Sequence, residues 1–480
     1  MRKTFILICT ICATVFSAYS QRPLEQLWQK IDTLPATRHA QIGFVCRNTA
    51  TGKTVAELAP HKTYTPASVT KVVTTATILD MLGADFKFQT WIEYDGTIDA
   101  EGTLNGNIYV RGEGDPTIGS SYFRDSLLFL KKWRAEVAKL GIKKINGSIV
   151  AETGLYDDIV VSPLWMGEDI GTYYGAGVYA LSCYDNTEYV TVNTKNGNLS
   201  LFRITPKLND TDTLQCCVNV SRRATKNDVY LAGEPGLGTR FLRGELRPYL
   251  DNMTFKCDIA NPPLLLVNSF KKELESAGIK VQRECSVART KGSANRQPIH
   301  IHLSPALSEI IRSTNVNSNN NFAEHLFKHL ALQNDSVASF ERSSENLLKY
   351  WKGKGIDTSA AFMYDGSGLT PKNAFSPDFI VDILSYMKNN SNYAEAFFKS
   401  LPVAGKEGTV ANLLNNFAAQ NAFHVKSGSF RNVQCYAGYF TKNGQTYAFC
   451  IMVNNFYGQR AKIRQIIEEI LKETYSQTNN

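Results

Sequence analysis

Residues 65–83 read TPASVTKVVTTATILDMLG, and the interpretation of the whole chain starts from this stretch. Its apolar side chains recur at the three- and four-residue spacing of an α-helix, and the pattern ends at Gly83. We expect Thr65 to cap this helix and Pro66 to lie in its first turn. Because valine and threonine are mediocre helix formers, burial in the protein core has to stabilise it.

Strands lie before this helix and at the end of the chain. Alternating apolar residues predict a hairpin over 42–55, followed near the C-terminus by three strands and a last helix. These closing strands are predicted over residues 424–430, 434–441 and 446–453. Four further helices are predicted over residues 305–314, 319–332, 339–352 and 377–388. Residues 87–300 are strand-rich, with helices only near 121–140 and 263–277. The pattern predicts one α/β domain interrupted by a large insertion.

The composition excludes several classes of protein. The chain has 480 residues, of which 43% are hydrophobic and 20% charged, as in ordinary globular proteins. At about 150 residues per domain, this length allows about three domains. The formal net charge is +8, and the sequence has no basic stripe interleaved with aromatic residues. Collagen-like, coiled-coil and wholly disordered structures are therefore excluded, and we expect no nucleic acid partner.

The N-terminal segment has the three parts of a secretory signal peptide. Two basic residues precede an apolar run over residues 5–16, and Ala18 and Ser20 supply the small residues of a cleavage site. We therefore expect residues 1–20 to be removed after Ser20. The apolar run is too short for a typical transmembrane helix. The protein is expected to be exported, to the periplasm where an outer membrane exists, and to be soluble or only loosely membrane-associated.

Eight of the ten cysteines follow this segment. An even number in an oxidising compartment permits disulfides without requiring them. Cys435 and Cys450 lie on two predicted strands that flank a turn at 442–444, which brings them near each other across a hairpin. They form either a disulfide or two buried thiols. A metal site is not expected, because CxxC spacing is absent among these eight cysteines.

Ser68 and Lys71 are the first candidates for catalysis, because residues three apart lie on the same face of a helix. A buried lysine near another cation loses its proton near neutral pH and can then accept the proton of a serine. The helix N-terminus also stabilises negative charge. Ser-x-x-Lys occurs twice more, at 269–272 and 385–388, so the pattern alone is weak evidence.

Two other segments carry polar groups suited to a cleft. In Ser318-Asn319-Asn320, the Ser318 hydroxyl can relay a proton and the Asn320 amide can hold a carbonyl, although such residues also cap ordinary helices. Lys426-Ser427-Gly428 is the only Lys-[Ser/Thr]-Gly sequence in the chain. Its charge and hydroxyl suit an extended peptide with a terminal carboxylate. A surface strand with a twist-relieving glycine is the alternative.

The three motifs together are far more specific than each alone, since they occur in the right order and in the right predicted elements. On these residues the chain resembles the D-alanyl-D-alanine carboxypeptidase/endopeptidase family, the class C low-molecular-mass penicillin-binding proteins. The resemblance covers nearly the whole mature chain. It includes the segments 66–71, 112–117, 168–176, 318–324, 365–369 and 401–406.

This resemblance implies a domain organisation. The catalytic domain would be transpeptidase-like and β-lactamase-like, an antiparallel sheet flanked by helices, and would comprise residues 21–86 and 300–480. Two smaller domains would interrupt it. Inserted domain II would comprise residues 87–189 and 256–299, and inserted domain III residues 190–255.

The resemblance also implies hydrolysis of peptide bonds that follow D-alanine in peptidoglycan stem peptides and cross-links. Ser68 would be the acylated nucleophile and Lys71 its base. The other implied site residues are Ser318 and Asn320 on the second wall, Lys426, Ser427 and Gly428 facing the substrate carboxylate, and Ser429, whose backbone amide forms the oxyanion hole with that of Ser68. Serine at 427 and asparagine at 319 replace the commoner threonine and aspartate. No cofactor is implied, and β-lactams are expected to acylate Ser68.

Three other functions remain open. A β-lactamase shares the same reactive groups and differs in the rate of deacylation, although the large insertion argues against it. A metallopeptidase would use His325 and His329, one helical turn apart, with His300 and His302, but HExxH is absent. A polar stripe on an exposed helix face explains the 325/329 pair better. A non-catalytic cell-wall-binding protein would keep the fold and lose acylation.

Overall fold

The structure is a computed structural model that describes residues 23–206, 212–234, 236–293 and 295–478. The predicted signal peptide, residues 1–20, lies outside the described residues. The described residues form ten α-helices: α1 Pro23–Thr33, α2 Thr70–Leu82, α3 Phe129–Lys139, α4 Pro262–Ser276, α5 Leu307–Asn317, α6 Asn320–His329, α7 Phe340–Gly353, α8 Pro377–Asn389, α9 Ala394–Ser400 and α10 Arg460–Gln477.

Most strands lie in three parts of the chain: before α2, between α2 and α5, and just before α10. In the described residues they are β1 Gln41–Asn48, β2 Thr54–Leu58, β3 Gln89–Tyr94, β4 Thr97–Ile98, β5 Thr103–Asn105, β6 Ile108–Gly112, β7 Lys144–Ile145, β8 Ile149–Glu152, β9 Thr187–Asn193, β10 Ser200–Thr205, β11 Thr213–Val220, β12 Asp228–Gly233, β13 Thr239–Leu246, β14 Met253–Asp258, β15 Lys280–Val281, β16 Ser286–Ala288, β17 Gln297–Leu303, β18 Ala361–Phe362, β19 Ala374–Phe375, β20 Phe423–Phe430, β21 Val433–Lys442 and β22 Gln445–Asn454.

A five-stranded antiparallel sheet joins the two ends of the chain, in the order β2-β1-β22-β21-β20. Successive side chains of a strand point to opposite faces, and both faces of this sheet are covered. Helices α1 and α10 pack on one face, and α2 with α5 to α9 lies on the other. This antiparallel sheet flanked by helices confirms the predicted fold class.

The region between α2 and α5 builds sheets of its own. Strands β16-β8-β6-β3-β17 and β15-β7-β5-β4 form two sheets, and α3 and α4 pack with them around a core that contains Trp133 and Phe270. Strands β10-β9-β14 and β11-β13-β12 form two three-stranded sheets around a second, smaller core that contains Val190 and Leu242. The prediction that residues 87–300 are rich in strands is therefore confirmed.

Helix α2 is the buried helix that the sequence predicts. Every residue from Thr70 to Leu79 is buried, and α2 packs against α5, α6 and α8. The predicted cap is wrong, because a short 3-10 helix, Ala67–Val69, precedes α2 and no side chain caps it. Thr65 instead donates its backbone N–H to Asn454 Oδ1 at 2.8 Å, which ties the segment before the helix to β22.

Within the described residues, we find no helix that combines the length and the apolar character needed to cross a bilayer.

Candidate active site

Ser68 lies in the 3-10 helix that leads into α2. Its neighbour Ala67 has a φ of 47°, in the left-handed region that non-glycine residues rarely adopt. Gly368 packs against this turn, because a Cβ atom there would lie 2.0 Å from the carbonyl oxygen of Ala67. The turn buries Ala67 and Val69 and leaves the Ser68 side chain at the surface of a cleft.

Lys71 lies one helical turn after Ser68 and is completely buried. Its Nζ donates to Ser68 Oγ at 3.0 Å, and it also donates to Asn320 Oδ1 and to the carbonyl oxygen of Ser367, both at 2.7 Å. Burial lowers the pKa of Lys71 from 10.5 to about 7, because the charged amine is removed from water. The neutral amine that can accept a proton from Ser68 is therefore abundant near neutral pH.

Residues 318–320 form the connection between α5 and α6 and contribute side chains to the same site. Ser318 ends α5 with a φ of 53°, and Asn319 caps α6 by accepting the backbone N–H of Phe322 at 3.1 Å. Asn319 thus takes the capping role, which leaves Ser318 and Asn320 for the cleft. Asn320 accepts from Lys71 and donates its Nδ2 to the carbonyl oxygen of Tyr174 at 2.9 Å.

Strand β20 supplies the opposite wall. Lys426 is completely buried, and its Nζ donates to Ser318 Oγ at 2.9 Å and to the carbonyl oxygen of Ser427 at 2.6 Å. Burial lowers the pKa of Lys426 well below its ordinary value, and the nearby charge of Lys71 lowers it further. Gly428 lets β20 approach the Ser68 turn, because a Cβ atom there would lie 2.5 Å from the carbonyl oxygen of Pro66.

The predicted site residues meet around one cleft. Its volume is about 420 Å³, and Ser68, Ser318, Ser427 and Ser429 all line it. The Ser427 hydroxyl also lies 2.7 Å from Thr409 Oγ1 at the rim. The hydrogen bonds of Lys71, Asn320 and Lys426 place these three side chains beside the serines, so the eight predicted residues are brought together from three separate chain segments.

Two buried acids beside Lys71 belong to segments that carried the family resemblance, but the sequence did not identify them as site residues. Glu324 accepts the backbone N–H groups of Gly366 and Ser367 at 2.9 and 2.7 Å. Asp365 accepts from Trp165 Nε1 at 2.8 Å and from several groups of its own loop. Together they hold the loop whose Ser367 carbonyl oxygen binds Lys71.

The charges of these acids act on Lys71. Burial raises the pKa values of Glu324 and Asp365, whereas the N–H groups that donate to them stabilise their charged forms. Their negative charges oppose the effect of burial on Lys71, so they limit how far its pKa falls. Buried ionisable groups with strongly shifted pKa values in a cleft are typical of catalytic sites.

The histidine pair on α6 is not on an exposed helix face, so that prediction is wrong. His325 is buried and both ring nitrogens are occupied, Nδ1 by the carbonyl oxygen of Asn321 at 2.8 Å and Nε2 by Ser182 Oγ at 2.9 Å. His329 is buried against Phe86 and Phe88. Segments distant in sequence cover α6, which its own pattern does not reveal. No cluster of His, Cys, Asp or Glu suited to a metal ion occurs in the part of the chain described.

Cys435 and Cys450 are two buried free thiols. In the pairing of β21 with β22, Cys435 lies opposite Met452 and Cys450 opposite Ala437, so the two cysteines are offset along the hairpin. Of the two arrangements that the sequence allows, the structure has the buried thiols.

Known proteins share both the sequence and the fold. The chain is 26% identical over 450 residues to the D-alanyl-D-alanine carboxypeptidase of Actinomadura sp., which covers 91% of this chain and 82% of that protein. The fold of the present chain is similar to that of penicillin binding protein 4 from Haemophilus influenzae, with a TM-score of 0.81 and 22% identity. The match covers 94% of this chain and 99% of that one. The same protein complexed with a β-lactam gives a TM-score of 0.75 at equal identity and coverage. Because the family match extends over residues 24–474, the chain belongs to the D-Ala-D-Ala carboxypeptidase 3 (S13) family.

Proposed function

We propose that the protein is a serine-type D-Ala-D-Ala carboxypeptidase, endopeptidase or both, which acts on peptidoglycan stem peptides and cross-links through an acyl-enzyme on Ser68. Besides the family membership, one structural observation supports this proposal. The Lys71 amine lies 3.0 Å from Ser68 Oγ in a buried site that lowers its pKa to about 7. A serine is activated by an adjacent base of this kind without any histidine.

Acylation begins when the neutral Lys71 amine accepts the proton of Ser68. Oγ forms a bond to the D-alanine carbonyl carbon, and the C–N bond to the following residue breaks. The proton then passes from the Lys71 ammonium to the leaving amine, with the Ser318 hydroxyl as the relay. In deacylation, water gives a proton to Lys71 and adds to the ester carbonyl, and Ser68 leaves with that proton. The sum of the two steps is hydrolysis of one amide bond by one water molecule.

The remaining site residues position the substrate in this proposal. The backbone N–H groups of Ser68 and Ser429 stabilise the negative charge that develops on the carbonyl oxygen. Lys426 and the Ser427 hydroxyl face the carboxylate of the leaving residue. Asn320 binds a carbonyl of the acyl chain, and its fixed contacts with Lys71 and Tyr174 support this role because they hold the amide in one orientation.

The division into domains is part of the proposal, with residues 21–86 and 300–480 catalytic, 87–189 and 256–299 forming domain II, and 190–255 forming domain III. The separate cores of the inserted region support it. The insertion also reaches the site, since Trp165 donates to Asp365 and Tyr174 accepts from Asn320. We further propose export to the periplasm after cleavage near Ser20, where peptidoglycan is accessible.

The experiment is intact-protein mass spectrometry after incubation with benzylpenicillin, with release of D-alanine from a stem pentapeptide as a second assay. The wild type is expected to gain one equivalent of the antibiotic on the peptide that contains Ser68, and Ser68→Ala is expected to lose both activities. Ser385→Ala is the matched control, because Ser385 begins another Ser-x-x-Lys sequence, on α8. A folded wild type that neither forms the adduct nor releases D-alanine contradicts the proposal.

A further inference from the structure

The cleft beside Ser68 continues along β20 to the first turns of α10. Beyond Ser427 and Ser429 it is lined by Gln434 and Tyr436 of β21 and by Arg460, Ala461 and Arg464 of α10. Ser427 pairs directly with Tyr436, and Ser429 pairs with Gln434, so these side chains lie on the face of the sheet that α10 covers. Arg460 and Arg464 are four residues apart and therefore lie on the same face of the helix.

Only some of the N–H donors of these two guanidinium groups have partners within the described part of the protein. Arg460 Nη2 donates to the carbonyl oxygen of Phe430 at 2.8 Å. Arg464 Nε forms an ion pair with Glu468 Oε1 at 3.8 Å, which is longer than a hydrogen bond, and the Arg464 side chain is 41% exposed. Among the described residues that line the cleft, none is acidic. This end of the cleft therefore combines two permanent positive charges with free N–H donors.

Lys426 by itself is poorly suited to hold a substrate carboxylate. Its Nζ already donates to Ser318 and Ser427, and it is fully buried. Burial and the neighbouring Lys71 also lower its pKa, because both disfavour the charged form. An arginine keeps its charge at every relevant pH and binds a carboxylate through two parallel hydrogen bonds.

We propose that Arg460 and Arg464 form a carboxylate-binding subsite for the group that leaves Ser68 during acylation. The inference rests on the proposed function and adds two specificity-determining residues to it. The leaving group of a stem pentapeptide carries one carboxylate, next to the scissile bond. The leaving strand of a cross-link carries further carboxylates. The two arginines would bind either carboxylate, the one next to the scissile bond or one on the leaving strand, through the same charged hydrogen bonds.

The test compares Arg460→Gln, Arg464→Gln and the double variant with the wild type on substrates that differ only in one carboxylate. The peptides are diacetyl-L-Lys-D-Ala-D-Ala and its C-terminal amide, and a cross-linked stem dimer with free or amidated carboxylates on the leaving strand. Acylation by benzylpenicillin and by its methyl ester is measured in parallel. For carboxylate-bearing compounds, we expect the double variant to lose about 10- to 100-fold in kcat/KM or in the acylation rate constant. For the amides and the ester, we expect a change of less than about 3-fold.

Lys462→Gln is the matched control, because it removes one positive charge from the exposed side of the same helical turn. A selective loss on the tripeptide and on benzylpenicillin assigns the subsite to the carboxylate next to the scissile bond. A selective loss on the cross-linked dimer alone assigns it to the leaving strand. The subsite is refuted if the arginine variants lose equal activity on acids and amides, if they lose no activity, or if Lys462→Gln loses as much activity as they do. In each of these cases, acylation of the wild type still supports the proposed function. A wild type that reacts with none of these compounds refutes both.

Discussion

The pH dependence of acylation tests the role of Lys71 most directly. With its pKa lowered to about 7, about half of the Lys71 amine is neutral at pH 7, whereas an ordinary value of 10.5 leaves on the order of 0.03% neutral. The neutral fraction rises about 15-fold between pH 5.5 and pH 7 and then approaches a plateau. We expect the acylation rate constant for benzylpenicillin to follow this curve, because the carboxylate of the antibiotic does not titrate in this range.

The groups that face Lys71 determine how the curve moves. The negative charges of Glu324 and Asp365 raise the pKa of Lys71, so Glu324→Gln is expected to shift the ascending limb to lower pH. Lys426 also faces the site, and its pKa is lowered by burial and by the charge of Lys71; loss of its positive charge acts against the rate as the pH rises. The ascending limb and its shift are therefore assigned to Lys71 and its acidic neighbours.

The measurement is the second-order acylation rate constant, followed by mass spectrometry from pH 5.5 to pH 9. Glu341→Gln, an exposed acid on α7, is the matched control and should leave the limb unchanged. Circular dichroism and the melting temperature verify that Glu324→Gln is folded. A rate that is independent of pH, one that still rises steeply at pH 9, or an upward shift in Glu324→Gln refutes the assignment of Lys71 as the base.

Three further predictions concern packing and exposure. Gly428→Ala should reduce the rate of benzylpenicillin acylation by at least about 100-fold, because the added Cβ lies 2.5 Å from the Pro66 carbonyl oxygen and displaces the Ser68 turn. The control is Gly353→Ala, whose added Cβ meets no atom within 4 Å, and this variant should be acylated at the wild-type rate. Trp351→Ala should lower the free energy of unfolding by about 3–5 kcal/mol, measured as a shift of the denaturant midpoint, because the buried indole leaves a cavity and its hydrogen bond to Thr77 is lost; an unchanged midpoint contradicts this. Thiol labelling of the folded mature protein should modify the exposed Cys216 and Cys217 first and the five buried cysteines only after denaturation, whereas early labelling of the buried thiols contradicts the packing.

Local pattern predicted most of the elements correctly. The apolar spacing in residues 65–83 predicted the buried helix, although its start was misplaced by the expected Thr65 cap. The alternating pattern near the C-terminus predicted β20, β21 and β22 to within a few residues. The short helix α9 was not predicted, because seven residues hold too few turns for a clear periodicity.

The sequence by itself determined that the hydroxyl of Ser68 and the amine of Lys71 lie together, because a serine and a lysine three apart on a helix are brought together by local geometry alone. Only the tertiary structure decided the surroundings of Lys71. Asn320 is 249 residues away from Lys71, and Trp165 is 200 residues away from Asp365, so no local period records these contacts. The same holds for the buried histidines of α6 and for the arginines of α10 at the end of the cleft. Burial and charge depend on what packs against a residue from distant parts of the chain, and these are the quantities that lower the pKa of Lys71.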